Sequence, residues 1–225
     1  KMLPVPEKIT YRLVRSRRRT VMVKVEPSAT VVVRAPLSMN VQAIDFFVQR
    51  NHPWIVKKIS EALARRSMIP QRTSPRQVYL RGDLLSWGWH DADIILPREV
   101  SEANAHKWLA RWQRRQAESH FGEVINTYLP HLGVSALRYS GFAMRKMRRN
   151  WGLCGASGLI TLNEHLIRTP DICIRGIVVH ELCHLVHFNH GPAFHAMVAD
   201  ILPEHRVADA LIDAWTMILD EKYES

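Results

Sequence analysis

The chain of 225 residues is poor in cysteine: Cys154, Cys173 and Cys183 are the whole complement. A small, odd number of thiols cannot form a disulfide framework and points to reduced thiols in a cytoplasmic setting. No C-x-x-C pair occurs, which excludes a thiolate zinc knuckle. Long apolar runs are also missing. None approaches the roughly 18 residues a membrane span needs, so no membrane partner is expected. The first twenty residues hold seven Lys or Arg and no apolar stretch, so no secretory leader is expected either. Acidic residues are in deficit, 21 Asp and Glu against 31 Lys and Arg, for a net charge of +10. That balance favours anionic partners and says little about fold. Internal repeats and low-complexity tracts are lacking. What is present is an ordinary globular mixture, 47% apolar and 23% charged, long enough for a hydrophobic core without disulfides.

Periodicity divides the chain. Val21, Val23 and Val25 alternate with polar or mixed neighbours, Pro27-Ser28 reads as a turn, and Thr30–Ala35 is a β-branched run ended by Pro36, so residues 9–35 read as strands. Ile44, Phe47 and Val48 fall on one helical face, and Pro53 suits a first helical turn, so helices are expected over 40–50 and 53–66. The segment 67–77 carries two prolines and no periodicity and is the best linker candidate. Short strands are expected over 78–96. A long helix follows from a Ser101 cap to about Leu129, with Trp108, Leu109, Trp112, Phe121, Val124, Ile125 and Tyr128 on its inner stripe. Leu137–Phe142 and Leu159–Leu162 read as strands. From Ile172 the chain reads as helical, interrupted at 189–192 and at Pro203. The expected class is α/β (α+β). A β-rich part with two helices spans 1–97, and a second part spans 98–225.

Residues 180–184 read His-Glu-Leu-Cys-His. Residues four apart on a helix differ by about 40° in direction, so His180 and His184 can converge on one metal ion. Glu181 follows the first of them, placed to take a proton from a water that the metal activates. With 12 His and 12 Glu in the chain, a chance match to this pattern has odds of about 3%. The flanks Ile177, Val178, Val179, Leu182, Leu185, Val186 and Phe188 are apolar, so the helix should be buried, where ionisable groups need a shared partner. A catalytic zinc takes three protein ligands and leaves one position open. His190, just ahead of Gly191-Pro192, is the expected third ligand. His187 is the competitor, but it would sit about 10.5 Å from His180 along a continuous helix. His195 and His165 are weaker candidates, and Cys183 reads as a core residue. One Zn2+ per chain is expected, although nickel or iron would also suit three imidazoles.

These residues resemble the YgjP-like metallopeptidase family, itself similar to the SprT-like zinc peptidases and to minimal gluzincins. The resemblance runs through most of the chain. Arg15-Ser16-Arg17-Arg18 with Val33-Arg34-Ala35-Pro36 resembles the family's N-terminal sheet, and Trp54-Ile55 its helix motif. Asn150-Trp151-Gly152-Leu153-Cys154 with Gly158–Asn163 resembles R-W-G-S-C…G-x-I-x-L-N. Val179–Leu185 and Asn189–Phe194 resemble V-H-E-L-C-H-L and N-H-x-x-x-F-W. The resemblance implies a zincin-like fold, metal ligands His180, His184 and His190, and Glu181 as general base. It also implies that the Leu159–Asn163 strand lies beside the metal helix, where it could pair with an extended substrate. Asn150, Leu153 and His195 depart from the family's usual Arg, Ser and Trp.

Three substrate classes follow. A peptide or unfolded protein is the first expectation, with Tyr139 or a histidine outside the motif as candidate oxyanion donor. A nucleoside triphosphate of the UTP type is the second, because members of the YgjP group have been assigned pyrophosphatase activity and Arg145, Lys146, Arg148 and Arg149 could clamp phosphates. A nucleic-acid-associated protease, similar to the SprT relatives, is the third. It rests on charge and on the Arg15–Arg19 and Arg111–Arg115 groups. A purely structural metal has no use for Glu181.

Overall fold

The computed structural model describes residues 9–26 and 28–216, so Lys1, Lys8 and Pro27 lie outside them. The class is mixed α and β, as expected. Two compact units divide between Ile69 and Pro70, inside the segment 67–77 that reads as a linker. The boundary expected near 97 is not where the units part. The strands between 77 and 95 fall in the second unit because Val78, Trp87, Ile94 and Leu96 share a core with Ala105 and Leu109.

In the first unit, β1 (Arg12–Ser16) pairs parallel with β3 (Val31–Pro36), and β2 (Met22–Val25) pairs antiparallel with the other edge of β3. The central strand β3 is paired along both edges, and Val31, Val32, Val33 and Ala35 are all buried. Helix α1 (Val41–Arg50) starts where the Asn40 side chain accepts from the Ala43 N–H at 2.7 Å. Helix α2 (His52–Ser67) begins with Pro53 in its first turn. Ile44, Val48 and Ile55 complete this core with Val31, Val33 and Ala35.

The second unit opens with β4 (Gln77–Leu80), β5 (Asp83–Gly88) and the short β6 (Ile94–Ile95). Arg81 (φ 51°) and Gly82 (φ 90°) make the β4–β5 turn, the two left-handed residues a tight hairpin prefers. Helix α3 (Glu102–Tyr128) follows. Ser101 stands at its N-cap, but its side chain makes no capping bond. Leu109, Phe121, Val124 and Ile125 are buried as read. Trp108 and Trp112 are only half-buried at the edge of the core, and Gln113 takes an inner position by donating to the Tyr79 carbonyl at 2.9 Å.

A 3-10 segment, Leu129–Arg138, continues from α3. The strand expected at Leu137–Phe142 therefore starts only at Phe142: β7 is Phe142–Arg145. Two strands complete the sheet, β8 (Gly152–Cys154) and β9 (Ile160–Asn163), in the order β7-β9-β8. Three helices close the unit: α4 (Asp171–Cys183), α5 (Pro192–Ile201) and α6 (His205–Trp215). Among the described residues no helix is long and apolar enough to cross a membrane.

Candidate active site

Helix α4 carries the site and is fixed at its start. Asp171 lies in its first turn, where a negative charge suits the helix dipole. Arg81 pairs with Asp171 through two nitrogens, and His120 Nε2 lies 3.0 Å from Asp171 Oδ1. Cys173, Ile174, Val178, Val179, Leu182 and Cys183 are buried along α4, which bears out the reading of Cys183 as core. The helix ends at Cys183, one residue before His184, whose backbone forms the C-cap. The chain then turns, and the Arg138 guanidinium secures that turn by donating to the Leu185 carbonyl at 3.0 Å.

The turn brings three imidazoles together. His180, His184 and His190 offer nitrogens that all lie within 4.8 Å of one another. The ring centroids are 4.8–4.9 Å apart, and Nε2 of His180 lies 3.0 Å from Nε2 of His190. Ligand nitrogens of a tetrahedral zinc stand roughly 3.3–3.4 Å apart, given bonds of about 2.0–2.1 Å. The cluster is thus close to the spacing a single cation requires. His184 Nδ1–H donates to the His187 carbonyl at 2.9 Å, which fixes the tautomer and leaves Nε2 with a lone pair. His187 therefore enters the site through its backbone, not its ring. Burial, reinforced by the neighbouring histidines, pushes His180 down to about 4, so it stays neutral and able to donate a lone pair. These donors fit a metal ion. No other His, Cys or carboxylate joins the group among the described residues. The His195 ring stands 6.3 Å from that of His190, outside it.

Phe194, fully buried in the first turn of α5, has its ring 4.7–4.9 Å from all three imidazoles. It walls the cluster from below.

Glu181 is 6% exposed. Burial pushes its carboxyl up to about 7, while the backbone N–H of Cys154 favours the charged form. A carboxylate near neutrality is matched to proton transfer at neutral pH. The carboxylate and the cluster face one cavity of about 490 Å³, lined also by Asn150, Trp151, β8, Ile177, Phe188 and Asp209.

The sheet beside this cavity differs from expectation. β9 is the central strand, paired parallel with β7 and antiparallel with β8, so neither of its edges can take up a substrate. Of the two outer strands, β7 and β8, it is β8 that lines the cavity, a strand that periodicity does not announce. Asn163 N–H donates to the Trp151 carbonyl and Gly155 N–H to the Leu159 carbonyl. By antiparallel alternation, the N–H and C=O of Gly152 and Cys154 then point away from β9. Buried Asn163 supports β8 from behind, its amide donating to the carbonyls of Met147 and Asn150 at 2.8 and 2.9 Å.

Arg145, Lys146, Arg148 and Arg149 do not line the cavity, and neither does Tyr139. Asp209 and Phe194 are the residues that residue-by-residue reading passes over. Asp209 carries no local signal, being one of two acids on an amphipathic helix. Phe194 falls four positions after His190, as in the family motif, and the geometry of the turn shows its part: its ring meets all three imidazoles.

A family model for the YgjP-like metallopeptidase domain matches residues 19–214. The chain belongs to the YgjP-like family. Comparison with curated proteins and with solved structures returned no match. Membership of this metallopeptidase family implies hydrolysis assisted by a metal ion, and the three imidazoles are where this YgjP-like chain could hold one.

Proposed function

We propose that this YgjP-like chain is a zinc-dependent peptidase in which His180, His184 and His190 hold the metal and Glu181 is the general base. One observation carries the reading: three imidazole nitrogens converge beside a buried carboxylate on a shared cavity of about 490 Å³. Zinc, when bound, supplies a Lewis acid that polarises a carbonyl and brings the pKa of water to about 7. Glu181 takes the proton of the attacking water and delivers it to the departing amine. The His187 carbonyl keeps the His184 ring in the ligating tautomer. The outward N–H and C=O of Gly152 and the outward C=O of Cys154 offer backbone pairing to an extended chain. Phe188 and Leu153, 73% and 46% exposed, give apolar surface to its side chains.

The cavity lining favours a peptide over a nucleoside triphosphate. Apart from the histidines, its charged side chains are Glu181 and Asp209. Both are acids, and neither Lys nor Arg is present to clamp phosphate.

The test is metal analysis followed by turnover of unfolded protein and of UTP, using wild type and Glu181→Gln. The expected result is about one zinc per chain in both proteins, with proteolysis reduced by a factor of roughly 10² or more in the variant. Release of pyrophosphate from UTP without proteolysis would reverse the reading.

A further inference from the structure

Gly152 lies in β8, across the cavity wall from Glu181. A Cβ placed on Gly152 would stand 2.6 Å from both Cγ and Oε1 of Glu181 and 2.9 Å from Cδ. Carbon atoms in contact need about 3.5–4.0 Å, so no other residue fits unless the carboxylate moves. The backbone of Gly152 is thus the surface on which the Glu181 side chain rests. Two residues on, the Cys154 N–H bears on the same carboxylate. The three-residue strand thereby sets the position of the group.

The strand is held in turn. Its inner edge pairs with β9. Trp151, 8% exposed, donates its indole N–H to Thr216 Oγ1 at 3.3 Å. A side chain at 152 would therefore meet a wall that cannot recede, and the carboxylate would be the part displaced.

We infer that Gly152 is a positioning residue: the missing side chain leaves the slot in which the Glu181 carboxylate is seated, and β8 is a template for the base as well as an edge for substrate. The inference rests on the reading of Glu181 as general base. Its structural half can be measured without any activity.

The experiment uses the full chain as wild type, Gly152→Ala, Glu181→Ala and the double variant. Three quantities are read: the thermal midpoint of metal-free protein, zinc bound per chain, and kcat and KM on a labelled unfolded protein. Glu181→Ala removes Cγ, Cδ and Oε1, the atoms that a methyl at 152 would strike. The midpoint should therefore fall on Gly152→Ala in the presence of Glu181 and fall much less in the Glu181→Ala background. Gly152→Ala should keep its zinc and lose at least tenfold in kcat, with KM within about twofold. If Gly152→Ala alone does not fold, folding of the double variant gives the same answer. Equal losses in both backgrounds, or failure of both to fold, would overturn the inference, as would a full kcat in Gly152→Ala. Absence of proteolysis in wild type with the coupling of midpoints intact would instead defeat the peptidase reading and leave the slot standing.

Discussion

At the scale of single residues, the cluster depends on groups that touch no substrate. Phe194 meets all three imidazole rings and is fully buried. Its removal leaves a cavity under the cluster and frees each ring to rotate. Phe194→Ala is expected to cost roughly 3–5 kcal/mol in stability and to weaken zinc about 10–100-fold. Denaturant titration of metal-free protein reads the first, and competition with a chelator reads the second. Phe194→Leu should recover most of the stability and less of the affinity, because a branched chain fills the volume without a flat face. Asp209 gives a second prediction. It is exposed on α6, lines the cavity and has no ion-pair partner among the described residues. Asp209→Asn should raise KM for peptides with a basic residue near the cut and leave neutral peptides unchanged, which a matched peptide pair would show. The metal ligands and Glu181 are legible in the sequence because chemistry at a fixed helical spacing is a local pattern. Phe194 and Asp209 are not, since their roles arise from a turn and from helix packing that no local window contains.

At the scale of elements, α4 and α6 pack closely. A Cβ on Gly176 would stand 2.6 Å from Cβ of Ala208. Gly176 lies one turn before His180 and Ala208 one residue before Asp209, so this contact brings Asp209 to the cavity. Gly176→Ala gains helix propensity but forces the helices apart, for a net loss of roughly 1–2 kcal/mol. Ala208→Gly in the same chain should return much of it, and thermal melts of the four combinations would read the coupling. Periodicity announces α1, α2 and α3 because each buries a stripe long enough to repeat. It misreads residues 137–141, where the 3-10 segment ends at Arg138 and Tyr139, Ser140 and Gly141 are neither helix nor strand. β8 escapes notice because three residues containing a glycine carry no alternation. That β9 is central also lies beyond the sequence: strand order is set by long-range pairing, and β7 joins β9 in parallel only after the chain has passed through β8.

At the scale of the whole molecule, the charge of +10 points toward anionic partners, yet neither Lys nor Arg lines the cavity, whose acids are Glu181 and Asp209. Net charge sums over a surface and carries no address. Acid stability does depend on addressed groups. His165 is half-buried, and burial, helped by repulsion from Arg168 and Lys146, lowers it to about 4. Above its ordinary value near 6.5, the residue is neutral in both native and unfolded chains, so stability is complete there. As pH falls, the unfolded chain takes up the proton first, and stability drains away from about 6.5 to about 4. His180 shares this window in metal-free protein, so His165→Phe should flatten the slope there without abolishing it. Asp171 acts lower. Its hydrogen bonds to Arg81, with the Arg81 and His120 charges, hold its carboxyl below the usual range. Its contribution is present above the unfolded carboxyl value of about 3.9 and is lost as pH falls through the lowered native one. Melting of metal-free protein should thus weaken in two successive steps on acidification. Asp171→Asn should remove only the second, because its charge anchors the start of α4, far along the helix from the imidazoles. A single unfolding step that neither substitution alters would show that acid attacks the molecule through other groups.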